Sequence, residues 1–254
     1  MSSSTHSIIL VDTIALLHSC VDALAGSTSI AVDLEGIDLC RSGRLSLVQL
    51  MAEGSNTIWL VDVAVLGRSA FEDVAPSGQN LKAILESRSI KKLFFDVRND
   101  SDALYNLFGV TLANVYDLQL LELAARTVKV GRPPRFISGL AATLETYLAP
   151  LKSFAIRRQW KNVKEAGKKL FAPECGGRYE VFEERPLVQA LVEYCAQDVA
   201  LLHELDGELH RQLGVRGRGW DERVLAESDV RVGVAKQAHY VPNGPHKALV
   251  PKYW

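Results

Sequence analysis

The sequence has little that would staple a fold, anchor it or cross a membrane. Its four cysteines, Cys20, Cys40, Cys175 and Cys195, stand far apart, without the paired spacing of a zinc site or the density of a disulfide framework. They read as reduced thiols of an intracellular protein, cytoplasmic or nuclear. No apolar run approaches the ~20 residues that span a bilayer, so no membrane partner is expected. Met1-Ser2-Ser3-Ser4-Thr5-His6 has no basic cluster, and Asp12 and His18 interrupt the apolar stretch behind it, which argues against a signal peptide. There is no internal repeat and no low-complexity tract. The net charge is −1, so overall charge selects no partner. What remains is ordinary for a globular protein: 48% apolar and 23% charged over 254 residues, enough for one large domain or two small ones.

Apolar alternation and turn residues predict a first edge strand over Ser7–Leu10 and a helix capped by Asp12 or Thr13 that ends at Gly26. Strands at Ser29–Glu35, Arg44–Met51 and Thr57–Val61 follow. Their short turns imply an antiparallel meander. A helix is expected at Leu81–Ser87, then a strand at Lys92–Phe95. After it the polar elbow Asp96–Asp102 runs into a helix through Leu104 and Phe108. Thr111–Val115 leads into another strand, with Asp117 placed to cap Leu118–Ala125. Pro186 is expected in the first turn of a last long helix reaching Leu209. Gly214–Trp254, which holds Trp220, Tyr240, Tyr253 and Trp254, is read as a tail that wraps the domain or is partly disordered.

Four acids draw attention within this outline. Side chains alternate along a strand, so Asp33 and Glu35 share a face while Val32 and Leu34 take the other. Two buried carboxylates on one face repel each other unless a cation lies between them, and hard oxygen ligands suit Mg²⁺ or Mn²⁺. Gly36, without a side chain, would let something bulky approach the backbone. Asp100 lies at a strand-to-helix elbow, where open α/β sheets place their sites. Asp198 follows Tyr194 by four residues, so the two share a helix face, and an acid among Leu and Val there needs an ion pair or a metal.

Charge is distributed unevenly. Between Thr127 and Leu170 ten Lys/Arg face two acids, a net of +8, which leaves −9 for the rest of a chain that totals −1. Such a segment is either a solvated insert or a face that steers a polyanion. Arg157, Arg158, Lys161 and Lys164 are its candidate phosphate-binding residues, since these spacings share a face if the segment is helical. Phe136, Phe154 and Trp160 lie among the bases, able to stack on nucleobases or to join the core.

Val-Asp-Leu-Glu-Gly (32–36), Phe-Asp-Val-Arg-Asn-Asp-Ser-Asp-Ala-Leu (95–104), Val-Tyr-Asp-Leu-Gln (115–119), Arg-Pro-Leu (185–187) and Tyr-Cys-Ala-Gln-Asp (194–198) occur in this order. Together they resemble the DEDD superfamily of 3′–5′ exonucleases, in its tyrosine-bearing subclass. Within it the chain is similar to the RNase D group, and to its Egalitarian-like branch. The resemblance runs over Ser29–Leu205. It implies an α/β, RNase H-like fold: a mixed central sheet whose first three strands form the antiparallel meander, flanked by helices. It implies an exonuclease domain over 1–210, followed by the 211–254 tail. Phe182 stands where the family often has Trp, and Gln159–Tyr179 looks like an insertion.

The activity so implied is hydrolysis of single-stranded nucleic acid from the 3′ end, RNA slightly ahead of DNA, releasing nucleoside monophosphates. The cofactors would be two divalent cations, Mg²⁺ or Mn²⁺. Asp33 would bridge both, Glu35 and Asp198 would hold the first, and Asp100 the second, partly through water. Tyr194 would position the attacking water. Two cations about 4 Å apart supply a nucleophile at neutral pH and stabilise the leaving oxygen, so no His or Lys base is required. The same branch contains RNA-binding scaffolds without catalysis. Loss of a metal ligand would favour that alternative, and all five positions are filled. The Tyr-x-x-x-Asp helix argues against an RNase H-like nuclease with a different cut, and the +8 segment argues against a small-molecule hydrolase.

Overall fold

The computed structural model of the protein describes residues 6–217, 219–252 and 254. The Met1–Thr5 stretch, read above as lacking a leader, and Tyr253 lie outside the described residues. The elements run β1 (Ser7–Val11), α1 (Ile14–Ala25), β2 (Ser29–Ile37), β3 (Arg44–Ala52), β4 (Thr57–Asp62), α2 (Val63–Leu66), α3 (Ser69–Glu72), α4 (Leu81–Glu86), β5 (Lys91–Phe94), α5 (Arg98–Phe108), β6 (Val115–Asp117), α6 (Leu118–Val130), α7 (Leu140–Tyr147), α8 (Phe154–Phe171), α9 (Gln189–Ala200), α10 (Leu202–Leu213) and α11 (Trp220–Gly233).

One mixed sheet is ordered β1-β4-β3-β2-β5-β6. The meander is present as β2-β3-β4, antiparallel throughout. Its strands are those expected from the short turns, and β1, the expected edge strand, precedes them in the chain and pairs in parallel with β4. On the other side β5 runs parallel to β2, and β6 parallel to β5.

Alternation along the strands divides the core into two layers. Val32, Leu34, Val48, Leu50, Val61 and Phe94 face the layer built with α1 and α4. Ala31, Leu47, Met51, Leu60 and Leu93 face the layer that holds Leu191, Cys195 and Val199 of α9. Asp33 and Glu35 belong to this second face. A register slip of one residue in β2 would send both acids under α1 and expose Val32 and Leu34 to the α9 side. Each such apolar side chain withdrawn from burial costs ~1.5–3 kcal/mol, so the core pattern holds the acids where they are.

Local chemistry sets the helix ends. Thr13 Oγ1 accepts the Leu16 amide at 3.3 Å to start α1, which stops at Gly26. Asp117 caps α6, accepting from the Gln119 amide at 3.0 Å. The last helix departs from expectation. Arg185–Pro186 is a cis peptide ahead of the helix, α9 begins at Gln189, and Leu201 separates it from α10 with φ −105° and ψ −6°. The break has a packing reason: α9 lies over β2, β3 and β4, whereas α10 lies against α6, and one straight helix cannot cover both. Beyond residue 214, α11 packs on β6, α6 and α5, with Val224, Ser228, Arg231 and Val232 buried. The chain then returns across the molecule, where Phe136 and Leu249 form an antiparallel bridge and Trp254 lies 5.5 Å from the Trp220 ring.

Candidate active site

Three carboxylates from two elements converge at the carboxyl end of β2. Asp33 and Glu35 come from the strand itself, and Asp198 comes from α9, packed across it. Each offers a carboxylate oxygen, and these three atoms lie within 4.8 Å of one another. The strand bulges immediately afterwards, between Glu35 and Gly36. A Cβ on Gly36 would stand 2.0 Å from the Arg44 carbonyl oxygen. The glycine therefore admits the neighbouring strand β3, not the bulky visitor expected from the sequence.

Asp100 enters from the first turn of α5 and is buried beside this trio, near enough for the Asp33 charge to act on it. The elbow that presents it is tied down at its start. Asp96 has φ 66°, a left-handed conformation, and its amide donates to Asp117 Oδ1 at 2.9 Å. The Val97 amide donates to Asp117 Oδ2 at 3.1 Å, and Arg231 Nη1 donates to the same oxygen at 2.7 Å. Asp117, the α6 cap, thus also fixes where α5 begins.

Burial governs the electrostatics. It pushes Asp33 up to about 7, the Asp198 charge adds to the rise, and Lys164 opposes it. Glu35 is held well above the usual carboxylate range by burial and then by Asp33 and Asp198. Asp100 is raised by burial, then by Asp33 and Asp96. Asp198 is raised by burial against the pull of Lys164 and Lys168. Four carboxyl groups that resist ionising together, all with hard oxygen donors, fit divalent cations chemically. The acidic cluster is therefore a place a metal ion can be held.

Tyr194 lies one turn before Asp198 and is buried. Burial, then the charges of Glu35, Asp198 and Asp33, push its phenol further up, so its hydroxyl stays protonated. No hydrogen bond joins that hydroxyl to any of the described residues. The ring is gripped from three sides. Phe171 meets it edge-on at 4.9 Å and in turn packs on Phe182 at 5.2 Å. Lys164 Nζ stands 4.1 Å above its centre. Gly167 of α8 touches it directly, for a Cβ there would lie 2.5 Å from Tyr194 Cβ, Cγ and Cδ2.

The part of the basic segment that carries Arg157, Arg158, Lys161 and Lys164 is the helix α8, so their periodic spacing is real. Arg157, Arg158 and Lys161 are exposed, and with Trp160, Phe154 and Lys164 they line a cavity of about 590 Å³ between α8 and α7. Lys161 pairs with Glu165 at 3.7 Å on the helix surface. Lys164 does something different from the other three. Its ammonium is turned inward and donates to Asp198 Oδ1. Trp160 is half-buried, 5.9 Å from Lys152 Nζ, and Phe154 is 71% exposed, free to stack.

Sequence reasoning missed the Lys164–Asp198 pair and the role of Gly167. A glycine inside an otherwise strong helix costs ~1 kcal/mol, and that signal of close approach was available. Gln49 was missed as well: it is buried and faces Asp33 across the ladder, with its amide beside the Cys195 thiol.

Comparison with known proteins adds an independent line. A family model described as 3′-5′ exonuclease matches residues 8–214. The piRNA biogenesis protein EXD1 of Mus musculus is 28% identical over 191 residues, covering 74% of this chain and 29% of that protein. Its namesake in Bombyx mori is 28% identical over 196 residues, covering 77% and 54%. The chain thus spans between under a third and about half of these relatives' length. Among solved structures, Trypanosoma brucei RNase D in complex with GMP superposes with a TM-score of 0.75 at 27% identity, covering all of this chain and 72% of that one. The same enzyme in complex with RNA U12 gives 0.75 at 25% identity, covering 99% and 81%.

Proposed function

Since this chain belongs to the 3′-5′ exonuclease family, we propose that it shortens single-stranded nucleic acid from its 3′ end, RNA ahead of DNA, and releases nucleoside monophosphates. The observation that carries the reading is the set of oxygen atoms from Asp33, Glu35 and Asp198 within 4.8 Å, with Asp100 buried beside them. We assign two divalent cations, Mg²⁺ or Mn²⁺, to it. Asp33, Glu35 and Asp198 would hold them together with Asp100 from the start of α5. The chemistry such cations supply is a water acidified toward neutrality and a stabilised anionic leaving oxygen.

The chain's own groups do the rest. Tyr194 keeps its proton and has an unclaimed hydroxyl, so it donates to or accepts from the attacking water and fixes its line of approach. Gly167, Phe171 and Lys164 hold that ring still. Lys164 serves as counter-ion to Asp198 when no other cation is held there, and a cation held by Asp198 would release its ammonium to a phosphate oxygen. Arg157, Arg158 and Lys161 carry the strand's phosphates along α8, while Phe154 and Trp160 offer faces for bases. The preference for RNA draws on the trypanosomal relative, whose structure holds RNA U12. That relatives of the scaffold type lack catalysis does not decide for this chain, because every ligand position is occupied by an acid.

The test is an oligonucleotide of RNA or DNA labelled at its 5′ end, with Mg²⁺, Mn²⁺ or EDTA. A ladder receding from the 3′ end, faster for RNA and absent in EDTA, is expected. Cleavage at internal positions from the outset contradicts the reading.

A further inference from the structure

The segment after α11 lies past residue 214, outside the span the exonuclease family model matches. It is not loosely appended. The Ala235 carbonyl accepts from Arg41 Nη2 at 3.3 Å and from Asn106 Nδ2 at 3.1 Å. The Ile137 amide donates to the Ala248 carbonyl at 3.0 Å, and Arg98 Nη2 donates to the Lys247 carbonyl at 2.9 Å. The last residue is fastened too: Trp254 Nε1 donates to Thr127 Oγ1 at 3.3 Å. Between these anchors the strap lays two side chains on the start of α5. Lys247 Nζ donates to Asn99 Oδ1 at 2.5 Å and to the Tyr240 hydroxyl at 2.9 Å, and the Tyr240 hydroxyl donates to the same Asn99 oxygen at 2.5 Å. Asn99 is the neighbour of Asp100 in the chain.

We infer that Lys247 is a positioning residue of the active site, supplied by the C-terminal strap to the Asp100 side to favour a phosphodiester over a bare cation. The inference rests on the exonuclease reading of Asp100. It is electrostatic. Lys247 is half-buried, and its charge reaches the Asp100 carboxyl as well as Asp96. Tyr240 is within range of Asp96, Asp100 and Asp102. The other cations at this elbow are already committed to carboxylates, Arg98 to Asp96 at 2.5 Å and 2.6 Å and Arg231 to Asp117 at 2.7 Å. The hydrogen bonds of Lys247 go to two neutral oxygens, so it feels Asp96 and Asp100 without the direct ion pair that engages Arg98. A fixed positive charge at that place repels a divalent cation and attracts the phosphate that arrives with the strand. The strap thereby couples metal loading to substrate: metal alone is disfavoured, and metal with strand is favoured.

This predicts opposite signs for two measurements on the full chain. Mn²⁺ titrated into Lys247→Met without nucleic acid, followed by electron paramagnetic resonance, should bind more tightly by on the order of threefold. The same variant with Mg²⁺ and single-stranded RNA should show a Michaelis constant higher by a similar factor. Lys247→Arg keeps the charge and should restore both toward wild type. Tyr240→Phe keeps the lysine and should change the Mn²⁺ affinity less than Lys247→Met does. If Lys247→Met weakens metal and strand alike and lowers the melting temperature, the residue is structural and the inference is overturned. Unchanged affinities for both overturn it as well. Failure of the wild type to cleave any strand would sink the exonuclease reading instead, while the Mn²⁺ titration would still report on Lys247.

Discussion

Replacing Asp33 by Asn should make the metal-free protein more stable at neutral pH while abolishing catalysis. The sign follows from burial. Burial, then the Asp198 charge, pushes Asp33 up to about 7 in the fold against 3.8 for a free side chain. The native state therefore holds more protons than the unfolded chain between those values, and stability falls as pH rises through that window. At ~1.4 kcal/mol per pH unit, the gap of about three units costs up to about 4 kcal/mol above pH 7 and nothing below pH 4. Asn cannot ionise, so the variant escapes the cost. It also relieves Glu35 and Asp100, both raised in part by the Asp33 charge. For a chain of this size the difference corresponds to roughly 10 °C in melting temperature at pH 8. The assay is thermal unfolding by circular dichroism in EDTA from pH 4 to pH 8. The two curves should meet near pH 4 and separate upward. Saturating Mn²⁺ should reverse the order, because only the wild type gains the full stabilisation of a bound cation. Parallel curves across the range, with no divergence, would refute the view of Asp33 as a desolvated member of a charge cluster.

Other substitutions separate the remaining roles. Tyr194→Phe should lower kcat with little change in Michaelis constant and none in melting temperature, since the hydroxyl bonds to no described residue; a loss of stability matching the loss of rate would make it a core tyrosine. Gly167→Ala forces a methyl to within 2.5 Å of Tyr194, so it should cost ~1–3 kcal/mol in stability and depress kcat more than binding; wild-type turnover would show that the ring's position is unimportant. Arg157→Glu combined with Arg158→Glu should raise the Michaelis constant for long strands and flatten its salt dependence by about 0.7 for each phosphate the helix no longer neutralises. A dinucleotide at the acids, too short to run about two turns up α8 from Lys164 to Arg157 and Arg158, should be cleaved as before; equal damage to long and short substrates would make α8 a solvated helix only.

Much of this arrangement is legible in the residues. The alternation Val32-Asp33-Leu34-Glu35 places two acids on one face, and i to i+4 spacing places Tyr194 above Asp198, because strand and helix periods are properties of the backbone. The meander is legible for the same reason, its turns being short. Long-range choices are not. Nothing local says that the edge strand β1 pairs in parallel with β4, nor that the last helix breaks at Leu201, since both follow from how layers fit over the sheet. Gly36 was legible as a site of close approach, but not what approaches, because the partner is a backbone carbonyl 8 residues further on. Lys164 has the spacing of a surface base, and only the crossing of α8 over α9 turns its ammonium onto Asp198. The strap gave no periodic signal: its attachments to Arg41, Asn99 and Arg98 lie more than a hundred residues away in sequence.

The most direct measurement is the anomalous diffraction of Mn²⁺ in crystals of the chain grown with a nucleoside monophosphate. Two peaks are predicted, one among Asp33, Glu35 and Asp198 and one between Asp33 and Asp100, and both should be missing in Asp33→Asn. A single peak elsewhere on the surface, or none beside these acids at millimolar Mn²⁺, would contradict the claim that the four carboxylates form a two-cation centre.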